Sequence, residues 1–185
     1  MLFRSLLLPP LGSGCAERFR AAEERATSPL PRGTLPESLA ASPIAVAPIA
    51  NATGRDLAVP QNLLAEAKRA VGAQAPGARS TVPDLLQQRA VLELRRRGFE
   101  AIALEPGAEP AAGACVLRGT LRRFTPTETG LLLVRLDLSI ARAEGEEELW
   151  SGAATRPVAI PSALTWQEIA QDAGGPIFAE AFGSP

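Results

Sequence analysis

Hydrophobic and polar positions alternate most regularly between residues 115 and 140. Cys115, Leu117 and Leu121 alternate with Arg118, Thr120 and Arg122. Leu132, Val134, Leu136, Leu138 and Ile140 alternate with Arg135, Asp137 and Ser139. Period-two alternation of this length predicts half-buried antiparallel strands, apolar on one face and polar on the other. The 125–130 loop joins them as a hairpin, whose simplest register sets Arg118 opposite Asp137 and Leu121 opposite Val134. A turn at Glu144, Gly145 and Glu146 then leads into a strand over 147–155 that contains Trp150.

Upstream, the apolar run Ile44–Ile49 reads as a short buried strand ended by a turn at Asn51–Gly54, because Asn and Gly are turn formers. Residues 81–98 carry helical spacing. Leu86, Ala90 and Leu94 form one stripe flanked by Leu85 and Val91, with Asp84 in the first turn and Gly98 as a natural stop. The triplet Arg95, Arg96, Arg97 sits in the last turn, most simply as a solvated helix end suited to the dipole. Phe99–Leu104 reads as a further strand, and the 56–80 stretch is ambiguous, with helical spacing only over 63–71. Near the end, Thr165 and Glu168 form a capping box, and 177–182 resumes an apolar helical turn.

The order β-α-(α)-β-β-β-β-α predicts an α/β (α+β) fold. It is a two-layer sandwich in which 2–3 helices cover one face of a mixed, mostly antiparallel sheet of 4–5 strands. Residues 43–185 suffice for a single domain.

Composition narrows the chemistry. The chain has no His and no Tyr, which removes Ser-His-Asp and Cys-His catalysis and His-bound zinc. A net charge of −1 gives no reason to expect nucleic acid as a partner. All 19 cations but Lys68 are Arg, a bias of coding rather than a cationic surface. Cys115 lies in a strand pattern, where cysteine is a small buried hydrophobe. The acidic cluster Glu144 and Glu146–Glu148 crowds a hairpin tip, not two walls of a cleft, so it is no glycosidase pair. No glycine-rich phosphate loop has the required spacing. We expect no catalytic residues, no metal site and no cofactor.

Two features point to an address and a surface. Arg4, the leucine-rich Ser5–Leu11 and then Gly12, Ser13, Gly14 and Cys15 read as a bacterial lipoprotein leader. On that reading 1–14 is a signal peptide and Cys15 is acylated with palmitate-type chains. Residues 15–42, with prolines at 29, 31, 36 and 43, form a tether between anchor and domain. On the polar face of the sheet, Arg118, Arg122 and Arg135 offer bidentate donors to a phosphate or carboxylate. A solvated face neutralised by Asp137 is the plainer reading of the same residues. Trp166 is a candidate partner contact, though an aromatic in a helix's first turn also suits a core.

The series Pro36, Ile44–Gly54, a helix ending Arg96-Arg97-Gly98-Phe99, Ala114–Leu121 and Glu148–Gly152 resembles small bacterial outer-membrane lipoproteins. It is most similar to the lipopolysaccharide-assembly lipoprotein family. It also resembles lipoproteins with the TolB N-terminal or curli-secretion type of fold, among them activators of peptidoglycan synthases. The resemblance spans roughly 15–156 and implies a lipid anchor on the periplasmic face of the outer membrane. It further implies an outer-membrane or periplasmic protein partner, lipopolysaccharide as a candidate ligand, and action by binding alone. Cys15→Ala should therefore leave an unacylated chain, uncleaved or soluble, as fractionation and N-terminal mass spectrometry would read.

Overall fold

The alternating segments form the body of the molecule. The computed structural model describes residues 34–55, 57, 81–127, 131–145, 147–159 and 175–183. Strands β1 (Ile44–Val46), β2 (Ala50–Asn51), β3 (Ala101–Ala103), β4 (Cys115–Pro126), β5 (Leu131–Arg142) and β6 (Glu148–Ala159) make one mixed sheet, ordered β3-β1-β4-β5-β6. β4, β5 and β6 are an antiparallel meander, while β1 runs parallel to both β3 and β4. β2 continues along β4 beyond β1, pairing Ala50 with Thr120. The apolar run expected as one strand is split at Pro48, which has no N–H to give the ladder.

Helix α1 (Val82–Arg96) lies against the sheet through the predicted stripe, with Leu86, Ala90 and Leu94 all buried. Its start is a capping box: the Thr81 hydroxyl accepts from the Asp84 amide, and the Asp84 carboxylate accepts from the Thr81 amide at 2.6 Å. Gly98 follows the helix at φ +84°, the left-handed conformation that glycine adopts without a Cβ clash. Gln87 is buried, and its amide donates to the carbonyls of Val46 and Leu104 at 2.8 Å each. It thereby fixes α1 over the ends of β1 and β3.

A second helix, α2 (175–181), packs on the same side. Phe178 stacks on Phe182 and Phe182 meets Trp150, with ring centroids 5.6 and 5.5 Å apart. Thr34 clasps this corner: its amide and hydroxyl donate to the Phe182 carbonyl, and its hydroxyl accepts from the Trp150 indole at 3.3 Å. The end of the stretch read as a tether thus lies on the domain, where Leu35 and Leu39 are buried around a 3₁₀ turn at Glu37–Ala41. Both described α-helices stand on one face of the sheet, so the observed fold is the two-layer α+β sandwich.

Two expectations are corrected. The hairpin pairs Arg118 with Ser139 and Leu121 with Leu136, two residues from the simplest register, and is interrupted by a β-bulge between Leu121 and Arg123. The arginine triplet is not a solvated helix end. Arg95 is exposed, but Arg96 pairs with buried Glu93 at 3.1 Å, and Arg97 is itself buried with its guanidinium 5.5 Å from the Phe182 ring centroid. The expected mixed, mostly antiparallel sheet is present: five strands lie along its path among the described residues, with the two-residue β2 beside β4. The leader, Cys15, most of the 56–80 stretch, the Thr165 capping box and Trp166 lie outside the described residues.

Close packing of α2 on β6 makes a sharp test. A Cβ on Gly152 would come within 2.5 Å of both the Ala181 carbonyl oxygen and the Trp150 ring. Gly152→Ala should therefore lower stability by about 1–3 kcal/mol, read as an earlier urea midpoint.

Candidate functional site

Along β5 every second residue from Leu132 to Ile140 is buried against the helices, so the odd-numbered residues face away from them. Cross-strand partners share a face. The rungs of this outer face are therefore Arg118–Ser139–Ser151, Thr120–Asp137–Ala153, Arg123–Arg135–Thr155 and Thr125–Leu133–Pro157. The bulge concentrates charge here. Leu121 and Phe124 are both buried, and two residues between them would break strict alternation. Placing one extra residue in β4 lets both Arg122 and Arg123 remain exposed and returns Phe124 to the core.

The structure thus brings Arg122 and Arg135 together, with Arg118 two rungs away on the same face. Asp137 accepts from Arg122 Nε at 2.9 Å and from Arg135 Nε at 3.4 Å. Both arginine side chains remain 54% exposed, so these ion pairs hold the guanidinium groups in place with little net energy. Arg118 and Arg123 make no ion pair with any described residue. Four arginines thus stand around Asp137 on this face, with Glu148 on the rung of Ala141 beyond Arg118, although the whole chain carries a net charge of −1.

Arg123 is the residue that the alternation pattern missed. A signal was present: Leu121 and Phe124 are three apart, and both can be buried in one strand only across a bulge.

Other candidates have structural employment. Trp150 and Cys115 belong to the core, and Glu144 accepts from the Gly113 amide at an exposed turn. The second charged cluster is internal. Glu93 Oε1 accepts from Arg89 at 2.6 Å and from Arg96 at 3.1 Å, while Oε2 is buried without a hydrogen bond. Burial pushes the Arg97 guanidinium below its ordinary value and Arg96 adds to that, while the nearby Glu93 carboxylate offsets it. Among the described residues no group of His, Cys, Asp and Glu is placed to hold a metal. Nor is any described helix long and apolar enough to cross a membrane.

Side chains occupy a backbone group at each edge of the sheet. Hydrogen bonds from Ile44 to Glu100 and from Leu104 to Val46 leave the Ala101 carbonyl pointing outward, and Arg95 Nε donates to it at 2.8 Å. At the β6 edge, Glu180 accepts from the Thr155 amide and from Arg156, and Pro157 has no N–H to offer.

No family model matches the chain, and no curated protein matches its sequence. Among solved structures it is similar to a PelC dodecamer protein from Paraburkholderia phytofirmans, at 17% identity over 85% of this chain and 94% of that one, with a TM-score of 0.45. It is also similar to protein XCC0632 of the DUF330 family from Xanthomonas campestris, at 15% identity over 84% and 86%, with a TM-score of 0.41. Lipoprotein GNA1162 from Neisseria meningitidis follows at 14% identity over 70% and 91%, with a TM-score of 0.39. The functional reading rests on this chain's own residues.

Asp137→Ala should shift stability by less than about 1 kcal/mol, since it removes only exposed pairs. It should also strengthen retention on an anionic resin. Urea melts and salt elution check the two effects.

Proposed function

We propose that this is a lipid-anchored, non-catalytic accessory protein of the bacterial cell envelope, working through the arginine face of its sheet. The observation that carries the reading is the outer face itself, where Arg118, Arg122, Arg123 and Arg135 stand around Asp137 on the side away from the described helices. The leader ending in Cys15 supports the anchor, and the absence of any histidine supports binding over catalysis. In its finer form, the protein assists lipopolysaccharide assembly at the outer membrane, with a β-barrel partner and with Arg118, Arg122 and Arg135 contacting anionic glycolipid.

A second reading takes the resemblance to activators of peptidoglycan synthases and to secretion lipoproteins as its motive. There the protein is a structural or regulatory lipoprotein acting only through protein contacts. The deciding experiment is a crosslinked, detergent-extracted pull-down of C-terminally tagged protein, with mass spectrometry of the prey and of the bait's own N-terminus. A β-barrel export protein among the prey supports assembly, whereas synthase or secretion components support the second reading. In the glycolipid form, Arg122→Glu with Arg135→Glu abolishes lipopolysaccharide binding while the fold survives. Unchanged binding removes that form.

A further inference from the structure

The arginine face has a shape that constrains what it can meet. It is an open sheet surface, not a pocket, and its cations spread from Arg118 to Arg123, roughly 15 Å along β4. A small anion held by one such side chain would leave the others unused, whereas a plane of regularly spaced negative charge engages all of them. One end of the same face carries half-buried leucines beside Thr125. The rung after Arg123 and Arg135 carries Leu133 and Pro157, and Leu131 lies beyond it. Arginines beside apolar side chains are the combination that settles at a lipid headgroup boundary, where long cationic stems reach phosphate and apolar groups enter the acyl margin.

Chain length permits the contact. Cys15 precedes Thr34 by 19 residues, a span of up to roughly 60 Å when extended. Thr34 is fixed to the domain by its bonds to the Phe182 carbonyl.

We infer that the outer face of the sheet docks on an anionic phospholipid surface, giving the protein a second membrane contact besides its acyl chain. The inference deepens the proposed function and takes from it the tethering at Cys15. An acylated cysteine fixes one end of the tether, and a cationic face adds a contact that orients the domain on an anionic surface. Each arginine near an anionic surface is worth roughly fivefold in affinity at moderate salt. Arg118 and Arg123, which make no ion pair with described residues, contribute most. Arg122 and Arg135 are partly neutralised by Asp137.

The test uses the full chain carrying Cys15→Ala, so that no acyl chain contributes, in flotation with phosphatidylcholine vesicles with or without phosphatidylglycerol. We expect binding only where phosphatidylglycerol is present, weakening steeply as salt rises. R118E/R123E should reduce it at least tenfold. The charge-matched pair R55E/R142E, on exposed residues away from this face, should leave it nearly unchanged. If the reversed pair unfolds, R118Q/R123Q makes the same comparison with a smaller loss. Equal binding to both vesicle types, no binding to either, or equal losses in the two double variants overturns the inference. Binding confined to lipopolysaccharide also overturns it and leaves the glycolipid form of the proposed function. Mass spectrometry of the unmutated chain's N-terminus reads the anchor separately: an acylated Cys15 without phosphatidylglycerol selectivity keeps the anchor and removes the face. An unmodified Met1 with that selectivity does the reverse.

Discussion

The alternation along β5 is the constraint on which the rest of the structure depends. β5 is the central strand of the meander, paired along its length with β4 on one side and β6 on the other. Its even-numbered residues from Leu132 to Ile140 all enter the core. A slip of one residue would reverse every one of them, so burial fixes the register. Once β5 is fixed, its neighbours inherit their faces. The helices must cover the apolar side, and the arginines have nowhere to go but the other.

The bulge in β4 reconciles two demands that strict alternation cannot meet together. Burying both Leu121 and Phe124 requires an extra residue between them, and that residue falls where the sequence places two arginines in succession. The result is a level of three guanidinium groups with Asp137 accepting from two of them. The edges carry side-chain bonds of their own. Because Arg95 and Glu180 occupy outward backbone groups of β3 and β6, adding a strand at those points would first displace a side-chain bond.

Much of this was legible in the sequence, for identifiable reasons. The β4–β5–β6 meander and α1 declare themselves through long periodic runs, and Gly98 marks the helix end by its conformational freedom. The register was not legible, because counting from a loop assumes an unbroken ladder. Arg123 was missed for the same reason. Arg97 escaped because its burial depends on Phe182, 85 residues away along the chain, and local charge patterning carries no trace of that contact. Leu35 and Leu39 were hidden by the prolines around them, which exclude a regular element without excluding burial. The face carrying Arg118, Arg122 and Arg135 was readable, although its central rung was not.

The internal cluster explains why the outer face can be so one-sidedly cationic. Arginines on α1 meet the buried carboxylate of Glu93, and Arg97 lies over an aromatic ring that belongs to the segment clasped by Thr34. These contacts join α1, β6, α2 and the entry of the chain into one corner of the core. Buried charge of this kind adds little to stability against a hydrophobic replacement, but it specifies which groups must meet. The apolar and buried-ionic interactions on the helix side therefore carry the folding. The outer face is left to solvent and to whatever docks on it, and its charges can be reversed in pairs without touching the core. That separation holds the fold on one side of the sheet and leaves the charges of the other free of it, as the proposed binding role requires.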